Sequence, residues 1–461
     1  MRADVTPVLE RIDADLPDAL ARLSDLLRIP SISTDPAHKA DIARAADWLV
    51  ADLDSLGLRA RKDATAGHPM VVAEGGRDDG PHVLFYGHYD VQPVDPLDLW
   101  DHDPFDPRIE DGPEGKVIRA RGAADDKGQL MTFLEACRAW RAVHGALPVR
   151  LTVLLEGEEE SGSPSLVPYL EANRANLRAD LALICDTGLF DAQTPAITTM
   201  LRGLLGEEII IHGPARDLHS GSFGGVAMNP ARVLARVLAD LHDDQGRVTL
   251  PGFYDGVPDL PEAIRAQWEA LGFDADAFLG SVGLRLPAGE HGRSALEMIW
   301  SRPTCEINGM VSGYTGAGFK TVLPARASAK VSFRLVGQQD PHKLRESLRD
   351  FVRARVPADC RAEFIAHGAS PASTMATDHP AFEAARRALS AEWPKPAAFV
   401  GAGGSIPIAG YFKSVLGMES MLIGFGKDDD QIHSPNEKYD LSSFHRGTRS
   451  WARILHAVSD L

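Results

Sequence analysis

The stretch VLFYGHYD, at residues 83–90, is a short apolar run that ends in two polar side chains, His88 and Asp90. A short run of branched and aromatic residues is typical of a strand that is buried on both faces. Such strands occur in parallel sheets covered by helices, where ligands bind beyond the carboxyl ends of the strands. The stretch therefore predicts an α/β fold with a polar site at one edge of the sheet.

The segments around this stretch alternate between apolar strands and helices with helical spacing of apolar residues. The predicted elements are helical residues 15–58, strand 83–86, helix 129–143, strand 151–155, helix 166–173, strand 181–185, helix 380–392, strand 420–425 and helix 442–459. This alternation indicates βαβ units, and with them a mostly parallel sheet that has helices on both faces.

The middle of the chain, after Asp191, has a different pattern. The predicted elements there are strands within 198–212 and 326–336, helices at 230–243 and 341–354, a stretch punctuated by Pro and Gly at 244–310, and a linker, HGASPAS, at 367–373. We therefore predict a discontinuous α/β domain, residues 1–197 and 371–461, interrupted by an inserted α+β domain at 198–370.

Composition excludes several classes of partner and site. The 461 residues include 48 Lys and Arg against 65 Asp and Glu, a formal charge of −17, so nucleic acid is not an expected partner. We find no signal-peptide pattern and no apolar run of the ~18 residues that span a membrane, and we expect a cytoplasmic protein without a membrane partner. The four cysteines are widely spaced without a CxxC pair, which argues against a disulfide framework and against a thiolate zinc site.

Side chains that can bind a metal follow several of the predicted strands. They are His88 and Asp90 after the first strand, Glu156, Glu158, Glu159 and Glu160 after 151–155, Asp186 after 181–185, His433 beyond 420–425, and Asp125 and Asp126 in the turn RGAADDKG at 121–128. Each has a simpler explanation when it is taken alone, such as a helix N-cap for Asp125 or a solvated loop for His433. Together, imidazole and carboxylate groups from several strand ends suit zinc. They are numerous enough for two ions about 3.5–4 Å apart that share one ligand.

These residues and the segments around them resemble a known family, the carnosinase and dipeptidase branch of the di-zinc aminoacylase/carboxypeptidase metallopeptidase superfamily. The matching segments are GHYDVQP (87–93), RGAADDKG (121–128), LEGEEESGS (155–163), ICDTG (184–188), LRG (201–203), DLHSG (217–221), KTVLPARASAKVSFRLV (320–336), GGSIP (403–407) and IHSPNEK (432–438). They occur in the family's order and cover nearly the whole chain, so the combination is far more specific than any one motif.

The resemblance implies two ions per chain, zinc in the first place, with manganese or cobalt as alternatives. One ion would be held by His88, Asp125 and Asp186. The other would be held by Asp125, Glu160 and His433, with Asp125 as the bridge. Asp90 would then orient the ring of His88 by a hydrogen bond, as is usual for metal-bound imidazole.

The resemblance also implies a general base in the run EGEEES at 156–161. Glu159 would activate a metal-bridging hydroxide and return the proton to the leaving amine. The additional Glu158 makes the alignment ambiguous by one residue. We set it by the following Ser161 and Gly162, which assigns Glu159 as the base and Glu160 as the ligand.

The same resemblance narrows the substrate to dipeptides or short peptides with a free C-terminal carboxylate. Within the superfamily, aspartate at the position of Asp186 is typical of dipeptidases and aminopeptidases, and glutamate of carboxypeptidases and N-acyl amino acid hydrolases. The expected substrate-binding residues are Arg334, whose guanidinium would clamp the carboxylate, Thr321, Gly404 and Ser405, with His219 as an oxyanion donor.

The resemblance further makes the insert a lid and dimerisation domain, the remaining α/β domain catalytic, and the protein a homodimer. In dimeric relatives the partner chain delivers the histidine that corresponds to His219. Two alternatives remain: an N-acyl or N-carbamoyl amino acid amidohydrolase of the same architecture, and an inactive homologue that binds metal or peptide. The absence of a GxxxxGK[ST] segment excludes a phosphate-loop nucleotide enzyme.

Overall fold

The structure, a computed structural model, describes residues 4–404 and 406–461. The chain divides into two compact units. The first comprises Met1–Thr199, Met375–Val400 and Tyr411–Leu461, and the second comprises Met200–Thr374 and Gly401–Gly410. The roles that we expect for the two domains, catalysis and lid, stay predictions.

The secondary structure consists of the following elements. The strands are β1 Arg59–Asp63, β2 Met70–Gly76, β3 His82–His88, β4 Arg108–Gly112, β5 Gly115–Arg119, β6 Arg150–Glu156, β7 Leu181–Ile184, β8 Ala196–Leu201, β9 Gly203–His212, β10 Leu218–His219, β11 Thr304–Ser312, β12 Val322–Leu323, β13 Arg326–Leu335, β14 Arg361–Ser370, β15 Ser373–Thr374, β16 Ala398–Ala402, β17 Ser420–Leu422 and β18 Lys438–Asp440. The helices are α1 Thr6–Leu27, α2 Lys39–Ser55, α3 Lys127–His144, α4 Leu166–Ala172, α5 Arg174–Leu177, α6 Ser220–Phe223, α7 Pro230–Ala239, α8 Glu262–Ala270, α9 Ala275–Ser281, α10 Ala295–Trp300, α11 Pro341–Arg353, α12 Pro380–Ser390, α13 Pro407–Tyr411 and α14 Leu441–Val458.

The first unit is built around a sheet with the strand order β1-β2-β6-β3-β7-β17-β8. Its four central strands, β6, β3, β7 and β17, run parallel. These are the apolar runs at 83–86, 151–155, 181–185 and 420–425, and each is buried along almost its whole length. The prediction of an α/β fold with a mostly parallel sheet is confirmed.

Aromatic packing fixes the position of helix α3 beside this sheet. Phe85 of β3 stacks on Phe133 of α3 with ring centroids 3.8 Å apart, and Trp451 of α14 meets both rings edge to face at 6.0 and 5.5 Å. Such pairs stabilise a core beyond the apolar area that they bury. Because α3 begins at Lys127, this packing also determines where the preceding turn, residues 121–126, can lie.

The second unit has an antiparallel sheet with the order β11-β13-β9-β14, and its core lies between this sheet and the helices α7 and α11. Strand β9 alternates between buried and half-buried residues over most of its length, as a sheet with one covered face requires. Glu207, fully buried on β9, binds Arg345 and Arg349 of α11 at 2.9 and 2.7 Å. The unit is therefore an α+β arrangement held by one apolar core.

Two segments differ from the sequence-based predictions. The expected linker at 367–373 is wrong in its first part, because β14 continues to Ser370 and pairs with β9 through Ala369 and Ser370. The small residues of this segment give no alternating hydrophobic pattern. They still form a strand, because a strand at the edge of a sheet needs backbone hydrogen bonds to one neighbour only. The stretch 244–310 contains the short helices α8, α9 and α10 and the beginning of β11.

Among the helices within residues 4–404 and 406–461, none is long and apolar enough to cross a bilayer.

Candidate metal centre

The parallel register brings the predicted metal-binding residues to one edge of the first unit's sheet. His88 at the end of β3 is in register with Glu156 at the end of β6, and Tyr86 is in register with Ile184 at the end of β7. Asp186 follows β7 by two residues. The carboxyl ends of neighbouring parallel strands meet at one edge, so these groups converge as the sequence pattern predicts.

Two groups of three side chains at this edge have ligand atoms that all lie within 4.8 Å of one another. One is His88, Asp125 and Asp186, and the other is Asp125, Glu160 and His433. Asp125 belongs to both: its Oδ1 lies 3.1 Å from His88 Nε2, and its Oδ2 lies 2.9 Å from His433 Nε2. These are the two sets, with the shared aspartate, that the resemblance assigns to two ions.

A third acidic group in the described part of the chain has comparable spacing: Asp429, Asp430 and Asp440. The ammonium of Lys438 binds all three carboxylates, at 3.0, 2.8 and 2.8 Å. An ammonium group therefore already binds all three carboxylates and offsets part of their charge, which distinguishes them from the two groups around Asp125.

The electrostatics around Asp125 fit a donor set for cations. Burial raises the pKa of Asp186 well above its ordinary value, and neighbouring carboxylates raise it further. Hydrogen bonds to Asp125 and Glu160 raise the pKa of His433 to about 10. Both shifts show that positive charge is favoured among these acids. Divalent cations would supply that charge, with the imidazoles of His88 and His433 neutral. Glu160 also keeps a buried Oε1 without a hydrogen-bond partner, as a metal ligand would.

Burial differs between the two groups. The side chain of His88 is 1% exposed and that of Glu160 is 4% exposed, whereas His433 is 53% exposed. Burial by itself would raise the pKa of Asp125. The hydrogen bonds of Asp125 to His433 and His88 outweigh this effect and hold the pKa below the ordinary value. The site is therefore closed behind His88 and open on the side of His433.

Asp90 lies behind the predicted ligands and has more contacts than the sequence suggested. It is fully buried, and its Oδ1 lies 3.4 Å from His88 Nδ1, as expected for a group that orients the ring. The same carboxylate also accepts hydrogen bonds from the backbone amides of Glu159 and Glu160, at 3.2 and 3.0 Å. One side chain thus positions both His88 and the turn that carries the two glutamates.

The neighbouring Glu158 has a structural environment. It is buried, and its two carboxylate oxygens accept hydrogen bonds from the backbone amides of His68 and Ser165 at 2.6 and 3.0 Å. Glu160 instead joins Asp125 and His433. This difference supports the alignment in which Glu160 is the ligand and Glu159 is the base.

Glu159 has the electrostatic environment of a proton acceptor. Burial raises the pKa of its carboxyl group to about 7, His88 opposes this shift, and Glu160 and Asp90 add to it. A catalytic base works best when its pKa lies near the working pH.

The structure adds contacts that sequence reasoning missed. Gln92 donates a hydrogen bond to Glu160 Oε2 at 2.6 Å. Glu437 accepts one from the backbone amide of Asp125 at 3.0 Å, and Arg121 binds Glu437 at 2.8 Å. All three residues lie inside the motifs quoted for the resemblance, close in sequence to proposed ligands, and this closeness could have pointed to them. Their hydrogen-bond partners could not be read from the sequence.

The remaining predicted residues lie in the second unit. His219 is exposed and pairs with Val322 across β10 and β12, and the amide of Ser220 donates to Thr321 O at 3.1 Å, which brings His219 and Thr321 close together. Arg334 is half-buried near the end of β13, where it pairs with Leu204.

Arg202 is a further basic residue of this unit that the sequence reasoning did not single out. Its backbone amide donates to Gly404 O at 3.1 Å, and its Nε donates to Gly403 O at 3.0 Å. Burial lowers the pKa of Arg202 to about 10, and the charge of Arg334 contributes. Arg202, Arg334 and the Gly403–Gly404 loop thus form one basic region, while Ser405 lies outside the described residues.

An α/β sheet with imidazole and carboxylate groups gathered at its carboxyl edge is typical of metal-dependent enzymes, among them hydrolases. Residues 84–457 match the model of peptidase family M20/M25/M40, and the chain belongs to that family. It is similar to the Cys-Gly metallodipeptidase DUG1 of Candida albicans, with 31% identity over 98% of this chain and 96% of the relative.

Solved structures agree with this assignment. Human carnosine dipeptidase 1 is 28% identical with a TM-score of 0.81 and covers 100% of both chains. The M20 family metallo-carboxypeptidase Sso-CP2 from Sulfolobus solfataricus is 32% identical with a TM-score of 0.83, over 96% of this chain and 99% of that chain. The predicted carnosinase and dipeptidase branch, the fold class and the enzyme class of metallopeptidase are confirmed, and the family implies divalent metal ions.

The three consecutive glutamates provide a test of the site. We expect Glu159→Gln to keep the bound metal and lose most of the activity, because proton transfer is removed while the ligands stay. Glu160→Gln should lower the metal content, since a ligand is lost. Metal content by elemental analysis and turnover, measured on the same samples, separate the two effects.

Glu158→Gln is the matched control for this test. It should lower the melting temperature without changing the metal content, because the partners of the Glu158 carboxylate within residues 4–404 and 406–461 are the backbone amides of His68 and Ser165. Metal loss in Glu159→Gln together with metal retention in Glu160→Gln would show that the alignment is shifted by one residue.

Proposed function

We propose that this chain hydrolyses the amide bond of dipeptides, or of short peptides with a free C-terminal carboxylate, with two divalent ions per chain. The observation that carries the proposal is the position of Asp125 in both candidate donor groups. A shared carboxylate between two sets of imidazole and carboxylate ligands is the arrangement that a pair of closely spaced ions requires. The similarity to two dipeptidases supports the substrate class.

Zinc is the proposed metal, with manganese or cobalt as alternatives. Each donor group offers imidazole nitrogen and carboxylate oxygen, which zinc accepts readily. When bound, such ions polarise the scissile carbonyl and lower the pKa of water. The residues that would hold them are His88, Asp125 and Asp186 for one ion, and Asp125, Glu160 and His433 for the other.

Glu159 is the proposed proton carrier. Its carboxylate takes a proton from the attacking water and delivers it to the nitrogen of the leaving amine. Its burial, which disfavours the ionised carboxylate, and its place beside the proposed ligand Glu160 support this role. Asp90 has a positioning role, since it binds the amides of Glu159 and Glu160 and faces His88.

The basic region of the second unit is the proposed binding site for the substrate carboxylate. Arg334 and Arg202 bring two guanidinium groups near the Gly403–Gly404 loop, and a guanidinium matches a carboxylate with two parallel hydrogen bonds. Thr321 and Ser405 are further proposed contacts. Recognition of this carboxylate would confine the enzyme to substrates with a free C-terminus.

We also propose a homodimer formed through the second unit, in which His219 serves the partner's site as the oxyanion donor. Strand β11 lies at the end of its sheet and exposes the apolar side chains of Ile307, Met310 and Val311, which supports an interface there. His219 is itself exposed, so its side chain is accessible to a second chain. A two-fold dimer makes such an exchange reciprocal.

Two other reactions need to be distinguished from dipeptide hydrolysis. Hydrolysis of N-acyl or N-carbamoyl amino acids uses the same architecture, and Asp186 argues against it. Removal of C-terminal residues from longer peptides is suggested by the similarity to a metallo-carboxypeptidase at 32% identity, and Asp186 argues against this reaction as well. An inactive homologue would lack a ligand or the base, and the described residues keep both.

A substrate panel tests the proposed reaction. Protein of known metal content should hydrolyse free dipeptides faster than longer peptides, N-acyl amino acids or N-carbamoyl amino acids, and chelation should abolish the activity. Full activity in thoroughly stripped protein would contradict a metal-dependent mechanism. Faster hydrolysis of acylated, carbamoylated or longer substrates would show that the enzyme acts on that class and that dipeptides are not its preferred substrates.

The carboxylate site is tested by Arg334→Ala. We expect a loss of about 2 kcal/mol, or about 30-fold in kcat/KM on free dipeptides, which is typical for a hydrogen bond to a charged group. Arg326→Ala, an exposed arginine at the start of the same strand, is the control and should leave kcat/KM unchanged. Equal rates of the unmodified enzyme on dipeptides and on dipeptide amides would remove this role from Arg334.

Exchange of His219 between chains is tested by complementation. His219→Ala and Glu159→Gln should each be inactive as homodimers. In a mixed dimer the His219→Ala chain keeps its own Glu159 and receives His219 from its partner, so one site in two is complete. Co-expression with two different tags and purification of the doubly tagged dimer should restore turnover. A monomer in solution, or a mixed dimer as inactive as its parents, would contradict the exchange.

A further inference from the structure

Glu437 is fully buried, and each of its oxygens accepts two hydrogen bonds. Oε1 accepts from the backbone amides of Ala124 and Asp125, at 2.8 and 3.0 Å. Oε2 accepts from the amide of Gly122 at 3.0 Å and from Arg121 Nη1 at 2.8 Å. A carboxylate has about four acceptor sites, so Glu437 is saturated, and all its donors belong to the turn that carries Asp125.

The same residue belongs to the loop that carries His433. Its backbone carbonyl accepts from the amide of Ala120 at 3.1 Å, and the next residue, Lys438, pairs with Arg119 where β18 meets β5. His433 has a positive φ of 61°, a conformation that a non-glycine residue keeps only when its surroundings enforce it. Glu437 therefore joins the turn of Asp125 to the loop of His433.

We propose that Glu437 is a positioning residue that fixes the carboxylate of Asp125 between the two donor groups. It acts through the backbone of residues 122–125, and Arg121 balances its charge. The inference rests on the proposed two-ion site. Because Asp125 belongs to both groups, loss of Glu437 weakens both ions together, whereas loss of Asp186 or His433 weakens one.

The chemistry of the contact requires a carboxylate at this position. A glutamine has the same shape, but only one of its two terminal atoms is an acceptor. In Glu437→Gln the amide nitrogen would face N–H donors whichever way it turned, and buried donors without an acceptor are costly. The turn would shift to relieve this contact and would carry Asp125 with it.

The experiment compares ion binding by wild-type protein, Glu437→Gln and a matched control, Glu392→Gln. Glu392 is a nearly buried acid of the same unit that binds Arg449 and Arg453 at 2.5 and 2.8 Å and belongs to neither donor group. Stripped full-length proteins are titrated with Zn²⁺ in competition with a chromophoric chelator. Loading with Co²⁺ then reports the ligand geometry through its visible spectrum.

We expect both binding steps to weaken about 10- to 100-fold in Glu437→Gln, the usual effect of removing a group that holds a ligand in place. The Co²⁺ spectrum should change as well. Glu392→Gln should lose thermal stability and keep wild-type affinities and spectrum, since a purely structural acid does not influence the ions.

Other outcomes would overturn the inference. Unchanged affinities in Glu437→Gln, or weakening of one binding step alone, would show that Glu437 does not act through the shared Asp125. If Glu437→Gln does not fold, Glu437→Asp replaces it, because a carboxylate shortened by one methylene group cannot reach the same amides. Unchanged affinities in that variant would contradict the inference equally. Wild-type protein that binds fewer than two ions would instead contradict the proposed two-ion site, and the role of Glu437 would fall with it.

Discussion

The crowding of negative charge around Asp125 is the constraint on which the rest of this structure depends. Asp125, Asp186, Glu159 and Glu160 lie at one largely buried edge of a sheet, and unpaired buried carboxylates repel each other and resist desolvation. Protonated His88 and His433 provide the compensating charge in the protein without ions, and divalent cations held by the neutral imidazoles would provide it when bound. The scaffold must hold these acids together against their repulsion, and this requirement explains many of its internal contacts.

Acidic side chains have two separate tasks at this edge. Asp125, Asp186 and Glu160 point their oxygens towards the candidate ion positions. Asp90 and Glu437 point theirs towards backbone amides and thereby hold the turns that carry the first group.

The division of labour that we propose for the two units fits their different sheets. A parallel sheet collects polar groups at one edge because all its strands end there, which suits a metal centre. An antiparallel sheet with one covered face instead offers alternating side chains and an end strand, which suits substrate contacts and association between chains. Membership of the M20/M25/M40 family fits this combination, and the basic region around Arg202 and Arg334 has the charge that the proposed substrate carboxylate would require.

The sequence by itself determined the parallel core and the candidate ligands. The apolar runs at 83–86, 151–155 and 181–185 are β-strands because their residues suit burial on both faces, and polar groups directly after such runs must gather at one edge. Periodicity could not show that residues 367–370 continue a strand, because small residues carry no pattern.

Only the tertiary structure decided how three similar glutamates differ and which groups hold the turns. Glu158 binds amides at His68 and Ser165, while Glu160 meets Asp125 and His433. Glu437 and Asp125 are separated by 312 positions along the chain and meet at 3.0 Å. A hydrogen bond depends on distance and direction in space, and chain positions this far apart acquire both only after the strands and helices have packed.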